Sequence, residues 1–296
     1  MITYDPKNWG RILLDLPRSP VFRTLFLDVL GAGVWAALVA WAELDVLHAA
    51  VPLGPSVLSI LGIILGLLLV FRTNTAYDRW WEGRRAWGQL LNVTRALSHQ
   101  LDALLDDDAP QRARYAALLA EYPAALAAHL RRPRGEPGAH VPNGVVRALA
   151  RQVHRDVGAG ALPREATVAL TPLLVAFDDV TGVCERIRNT PIPFSYSSYI
   201  KQFVLIYALV LPFGLVPEFG YGSVIASMLV FFATMGLELL AGEIEEPFGT
   251  DRNDLPTDEI ASRAGSDARD LLLGGTAGVA TSGVDTAGVG TAHTAQ

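Results

Sequence analysis

The sequence predicts an all-α integral membrane protein: four transmembrane helices, with a large helical cytoplasmic domain between the second and the third. Two patterns and one absence carry that reading. Long apolar runs come in two pairs, one pair near each end of the 296 residues. Between the pairs, alanine and leucine recur at helical spacing, most clearly from Ala113 to Leu130. Alternating β-branched runs bounded by turns, the mark of strands, are missing from the sequence.

The first span is expected from about Leu25 to Leu44 and the second from about Val57 to Phe71. The third runs from about Tyr199 to Val216 and the fourth from about Val224 to Leu240. Each approaches the roughly 20 residues that cross hydrocarbon. Pro52-Leu53-Gly54-Pro55 and Pro217-Glu218-Phe219-Gly220 read as the turns within each pair. No lysine or arginine lies between Arg23 and Arg72, or between Lys201 and Arg252. Positive charge marks the cytoplasmic side, so both turns face out and both termini face in. The expected location is a multi-pass protein of the cell inner membrane or plasma membrane.

The chain divides accordingly. Residues 1–22 form a cytoplasmic arm, 23–74 the first two spans, 75–196 the cytoplasmic domain and 197–242 the last two spans. Residues 243–263 form a cytoplasmic segment, and 264–296 a disordered tail. Within the insertion, helices are expected over Ala113–Leu130, Gly144–Val157 and Arg164–Arg188. Breaks at Asp106–Pro110 and Arg132–Gly138 separate them. From Gly274 to Gln296 the composition is mostly Gly, Ala, Thr, Val and Ser with almost no charge and no aromatic residue, which buries too little surface to order itself. Leu271-Leu272-Leu273 leaves docking of this tail as an alternative.

Composition narrows the class. The chain is 51% hydrophobic and 18% charged, with mean hydropathy +0.30. That is too apolar for most soluble domains and too charged to lie wholly in a membrane. A net charge of −6 gives no footprint for nucleic acid. The single cysteine, Cys184, excludes an intrachain disulfide and a Cys-rich zinc site. The six histidines have no i, i+4 pair, so no metal site and no cofactor is expected. No His-Glu-x-x-His, P-loop or Gly-x-Ser-x-Gly occurs, and the chain does not read as an enzyme. Gly31-Ala32-Gly33-Val34-Trp35-Ala36 matches a dinucleotide motif only in letters, because it lies inside a span.

Charge and aromatic residues appear abruptly after the second apolar run. Arg79-Trp80-Trp81-Glu82-Gly83-Arg84 follows it closely, and Glu246-Pro247-Phe248-Gly249 follows the fourth run. Pro191-Ile192-Pro193 precedes the third. In their wording and order these motifs resemble the bestrophin family, especially its bacterial members. The resemblance implies a pentameric channel that passes monovalent ions passively. Arg79, Trp80, Trp81, Glu82, Pro247, Phe248 and Gly249 are the motif residues it rests on.

Ile63, Leu67 and Phe71 are spaced by four, and Gly62 and Gly66 form a Gly-x-x-x-Gly pair beside them. On the residues alone, such a stripe packs against lipid or core. The resemblance instead implies the pore neck, because the family lines its neck with three apolar residues at this spacing. It also implies a second constriction near Ile192, against the plainer reading of a packed helix-entry turn. In animal members an acidic run after Pro-Phe-Gly forms part of a calcium clasp. Here Arg252 interrupts Thr250-Asp251-Arg252-Asn253-Asp254, so a salt-bridge cluster is expected instead. Asp28 lies within the first span and is expected to pair with Arg23, while Glu238 sits near the inner end of the fourth. An apolar neck does not fix the sign of the ion; the acidic balance and Asp178-Asp179 lean toward cations. A membrane-anchored scaffold and a secondary transporter are the alternatives.

Overall fold

A computed structural model describes residues 20–49, 53–133, 138–251 and 253–274. Among them there are eight α-helices and no strand. α1 (Pro20–Trp41) ends in a π-turn, Ala42–Val46. α2 runs from Pro55 to Leu104 without a break, 50 residues in all. α3 (Gln111–Arg131), α4 (Val141–Gly158) and α5 (Ala166–Asn189) follow. Then come α6 (Phe194–Phe219), a 3₁₀ turn at Gly220–Gly222, α7 (Ser223–Glu245) and α8 (Thr257–Leu273).

Four apolar bodies cluster at one end: α1, the first half of α2, α6 and α7. α7 packs against α1, α2 and α6. Gly33 explains part of this closeness, since a Cβ there would come within 2.7 Å of the Met228 sulfur on α7. The letters that imitate a dinucleotide motif thus lie in a helix–helix contact. Trp35 ties α1 to α6 by donating to the Leu209 carbonyl at 3.0 Å. Gly220 makes the turn after α6 with φ of +52°, a region that only glycine enters cheaply.

Stretches within 22–46, 56–104 and 194–245 are long and apolar enough to cross a membrane, and 194–245 folds as two helices. Residues 166–189 also meet that criterion, yet α5 buries Leu170, Phe177, Val180, Cys184 and Ile187 in the extramembrane core. The second half of α2 and α3, α4, α5 and α8 build that core around Trp87, Leu90, Leu97, Tyr115, Leu119 and Leu126. Tyr122 donates to the Phe177 carbonyl at 2.6 Å across it. Burial pushes the Cys184 thiol up to about 12, so the lone cysteine is a packed, inert side chain.

Several expectations are corrected. The helix of the second span does not end near Phe71: α2 carries the charged motif onward as unbroken helix. Pro217 lies inside α6 rather than in the turn, two residues before the helix ends at Phe219, at the cost of one backbone hydrogen bond. Arg23 and Asp28 are not among the ion pairs of the described residues; five positions on a helix turn them about 140° apart. The expected tail also begins too early. Residues 264–273 belong to α8, which buries Ala264, Gly265, Ala268 and Leu272 against α3. A Cβ at Gly265 would sit 3.1 Å from that of Ala120, so small residues here permit close packing. Residues 275–296 of the expected tail lie outside the described residues.

Truncation separates the two boundaries. A chain cut after Ser266 loses Asp267, which pairs with Arg95 at 2.6 Å, and the fully buried Ala268 and Leu272. Removing a buried leucine alone costs about 2–5 kcal/mol. Thermal melting in detergent should fall by roughly 10 °C, whereas a cut after Gly274 should shift it by no more than ~1 °C. Equal melting of the two truncated chains would show that α8 contributes no stability.

Candidate functional site: an apolar stripe and the junction beneath it

The first half of α2 has two unlike faces. Leu58, Leu65, Leu69, Arg72 and Ala76 are buried, at spacings of seven, four, three and four. Leu65 and Leu69 pack with Ile200 and Val204 of α6. The opposite face carries Ile63, Leu67 and Phe71, exposed to 70%, 55% and 54%. Ile60, Ile64 and Val70 widen this face, and Leu67 falls near its midline at about 100° per residue. A Cβ on Gly62 would meet the Tyr207 hydroxyl at 2.9 Å, while Gly66 is open. The three residues named from sequence therefore share one unpacked apolar face of the protomer.

Below this stripe the motif residues join the helices. Arg79 donates from Nε to the Glu245 carbonyl at 3.1 Å, the last residue of α7. Its Nη1 and Nη2 reach the Thr190 and Ile187 carbonyls, both at 2.6 Å, at the end of α5. One guanidinium thus satisfies open carbonyls at two helix C-termini, where a cation also opposes the dipole. Glu82 pairs with Arg186 of α5. Trp80 donates to the Asn253 carbonyl at 3.0 Å. Tyr77, Trp80 and Trp81 stack with centroids 6.2–6.5 Å apart.

The second motif meets the first directly. Phe248 is buried, and a Cβ on Gly83 would approach its ring to 3.1 Å. Pro247 is buried and its carbonyl accepts from the Leu255 N–H at 2.9 Å. Gly249 lies against Asp254, whose Oδ2 would sit 2.6 Å from a Cβ. The two motifs are distant in sequence, yet they form one junction between the membrane helices and the extramembrane core.

Two hub residues were not legible as partners. Arg72, 1% exposed, donates from Nη2 to Glu245 Oε2 at 2.7 Å. Glu245 Oε1 accepts from the Ile192 N–H at 3.0 Å. Ile192 itself is 8% exposed, packed within its own chain, whereas Phe194 two residues on is 83% exposed. Glu238 is buried and lies 3.8 Å from Lys201.

The acidic loop after Gly249 is held locally. Asp254 Oδ2 accepts from the Asp251 N–H at 2.6 Å, and Asn253 Nδ2 donates to Glu243 Oε2 at 2.9 Å. Arg252, expected to neutralise this run, lies outside the described residues. Burial pushes the Asp254 carboxyl up to about 6, with Asp251, Glu243 and Glu246 raising it further against the lowering effect of the Asp251 N–H bond. A raised folded pKa means the folded state holds the proton more tightly than the unfolded one, whose value is 3.8. That stabilisation is complete below the unfolded value and is lost as pH rises through about 6. Melting in detergent should therefore gain ~3 °C more on acidification from neutrality to mildly acidic pH in the parent than in Asp254→Asn. Parallel profiles for the two proteins would count against the shift.

An all-helical integral membrane protein with a helical extramembrane domain is the class these features define. Residues 1–270 match the family described as Bacterial/Fungal Bestrophin protein, and the chain belongs to that family. It is 33% identical to a voltage-dependent anion channel-forming protein of Nostoc, over 91% of this chain and 94% of the relative. A similarly named protein of Ralstonia nicotianae is 34% identical over 92% and 94%. A bacterial bestrophin homologue from Klebsiella pneumoniae superimposes with a TM-score of 0.75 at 27% identity, covering 84% of this chain and 97% of that one. Bestrophins are ion channels, not enzymes.

Proposed function

We propose that five copies of this chain form a ring that passes small monovalent ions, anions first, passively through a central pore. The observation that carries this is the unpacked face of α2. Ile63, Leu67 and Phe71 project from the side opposite Leu65 and Leu69, which hold α2 on α6. A ring of α2 helices turns that face inward and makes three apolar girdles, which gate by dewetting. The neck offers no fixed charge, so the ion's sign is set elsewhere. Relatives at 33–34% identity named as anion channel-forming proteins favour anions. The exposed pair Asp178-Asp179 favours a cation pathway instead.

The protein sits in the cell membrane with its extramembrane domain and both termini in the cytoplasm, on the arginine distribution. The second constriction falls at the turn before α6. There Ile192 is anchored through Glu245, and the exposed Phe194 is better placed than Ile192 to narrow a passage.

Reconstitution into planar bilayers tests the reading. In asymmetric potassium chloride, the reversal potential should lie toward the chloride equilibrium potential. A reversal toward potassium would keep the channel and restore the cation reading. No current from an intact assembly would leave a scaffold, and saturable flux without unitary currents would indicate a transporter.

A further inference from the structure

Outside the stripe and the junction, one polar cluster draws three helices together. His129 lies in the last turn of α3, His140 at the N-cap of α4, and Glu185 on α5. The Nε2 atoms of both histidines lie 2.7 Å from the same oxygen, Glu185 Oε1. All three donor atoms fall within 4.8 Å of one another, and the two rings are 4.5 Å apart. We propose that His129, His140 and Glu185 form a divalent transition-metal site, with zinc as its best-fitting ion.

The donor set selects the metal. Two imidazole nitrogens and one carboxylate oxygen suit zinc, whereas calcium and magnesium seek oxygen shells. Tetrahedral zinc with bonds near 2.0–2.1 Å sets its ligand atoms ~3.4 Å apart, so each Nε2 must withdraw from Oε1 by only ~0.7 Å. The side chains are 15%, 34% and 28% exposed, enough for an ion to enter. His140 also lines an open cavity of about 550 Å³ between α3 and α4, so solvent reaches this side of the cluster. Asp178, on the same helix as Glu185, adds negative potential at His140.

Tautomers matter here. Without metal, the 2.7 Å contact to the Glu185 carboxylate holds a proton on His129 Nε2, while Nδ1 is buried with no hydrogen-bond partner among the described residues and is free to take that proton when a metal binds. Carried on Nδ1, that proton leaves Nε2 for a metal. His140 Nδ1 accepts from the Asn143 N–H at 3.2 Å, and metal binding at Nε2 gives up this long cap bond. The ten residues between the histidines cross a helix end and a loop, which is why their spacing shows no motif.

The test uses the full chain without a polyhistidine tag, stripped with EDTA and dialysed against zinc chloride. Elemental mass spectrometry should find one zinc per protomer, and cobalt in its place should give the visible bands of a four-coordinate site. His129→Gln with His140→Gln should weaken zinc binding ~100-fold. Zinc should also raise the melting temperature of the parent but not of that variant. Glu185→Gln keeps an oxygen facing both imidazoles and serves as the fold-preserving control, expected to lose zinc while retaining the parent's metal-free melting. A parent that takes up no stoichiometric zinc overturns the proposal, as does a histidine variant or a folded Glu185→Gln that binds zinc like the parent.

Discussion

Replacing Ile63, Leu67 and Phe71 together by alanine should raise the resting current at least tenfold. Each side chain projects from the unpacked face of α2, so its removal opens space without touching the Leu65–Leu69 contact to α6. Alanine is the best helix former, and α2 has helical turns on both sides of the stripe, so the backbone should persist. Wider girdles hold water more readily. A tenfold rise corresponds to only about 1.4 kcal/mol of lost dewetting barrier, well within what three shortened apolar girdles supply. Selectivity should change little, because the stripe carries no charge. The measurement is open probability and unitary current in planar bilayers, with native mass spectrometry to verify five chains. A folded pentamer with unaltered current would place the stripe against lipid or a neighbouring subunit, and the neck assignment would fail.

The helical framework was legible where periodicity was strong. The helix expected over Ala113–Leu130 is found at Gln111–Arg131, and that over Arg164–Arg188 at Ala166–Asn189. The unbroken α2 was harder to read. A membrane boundary changes the solvent, and charge appears there, but the backbone bonds of a helix continue across it unaffected. Small residues misled in the opposite direction. Ala264, Gly265 and Ala268 resemble low-complexity tail, yet against Ala120 they are what lets α8 approach α3. The junction was visible only as two separate strings of letters. That Gly83 makes room for Phe248, or that Trp80 holds the Asn253 carbonyl, depends on contacts no local spacing encodes.

The deepest of those contacts yields the largest expected loss of stability. Arg72 and Glu245 lie 173 positions apart, with side chains 2% and 14% exposed. Glu245 ends α7, where the helix dipole disfavours an anion, and the nearby guanidinium groups of Arg72 and Arg79 offset that cost. Its two carboxylate oxygens serve different elements, Oε2 for α2 and Oε1 for the Ile192 N–H before α6. Glu245→Leu leaves a buried guanidinium whose Nε and Nη1 already lack partners among the described residues. Breaking a buried pair from one side costs about 3–5 kcal/mol, so Glu245→Leu and Arg72→Met should each melt at least ~8 °C lower in detergent. Removing both charges together should recover most of that loss, because a well-packed apolar pair is often no less stable than a buried ion pair. Recovery should stop short of the parent by about 1 kcal/mol, since the Ile192 N–H still lacks its acceptor. Lysine at position 72 should not rescue as well as the double change, because its ammonium must stay charged and hydrated in the same buried place. Single variants that melt with the parent would show that the pair is solvated and that the junction draws its stability from Arg79 and the Phe248 packing alone.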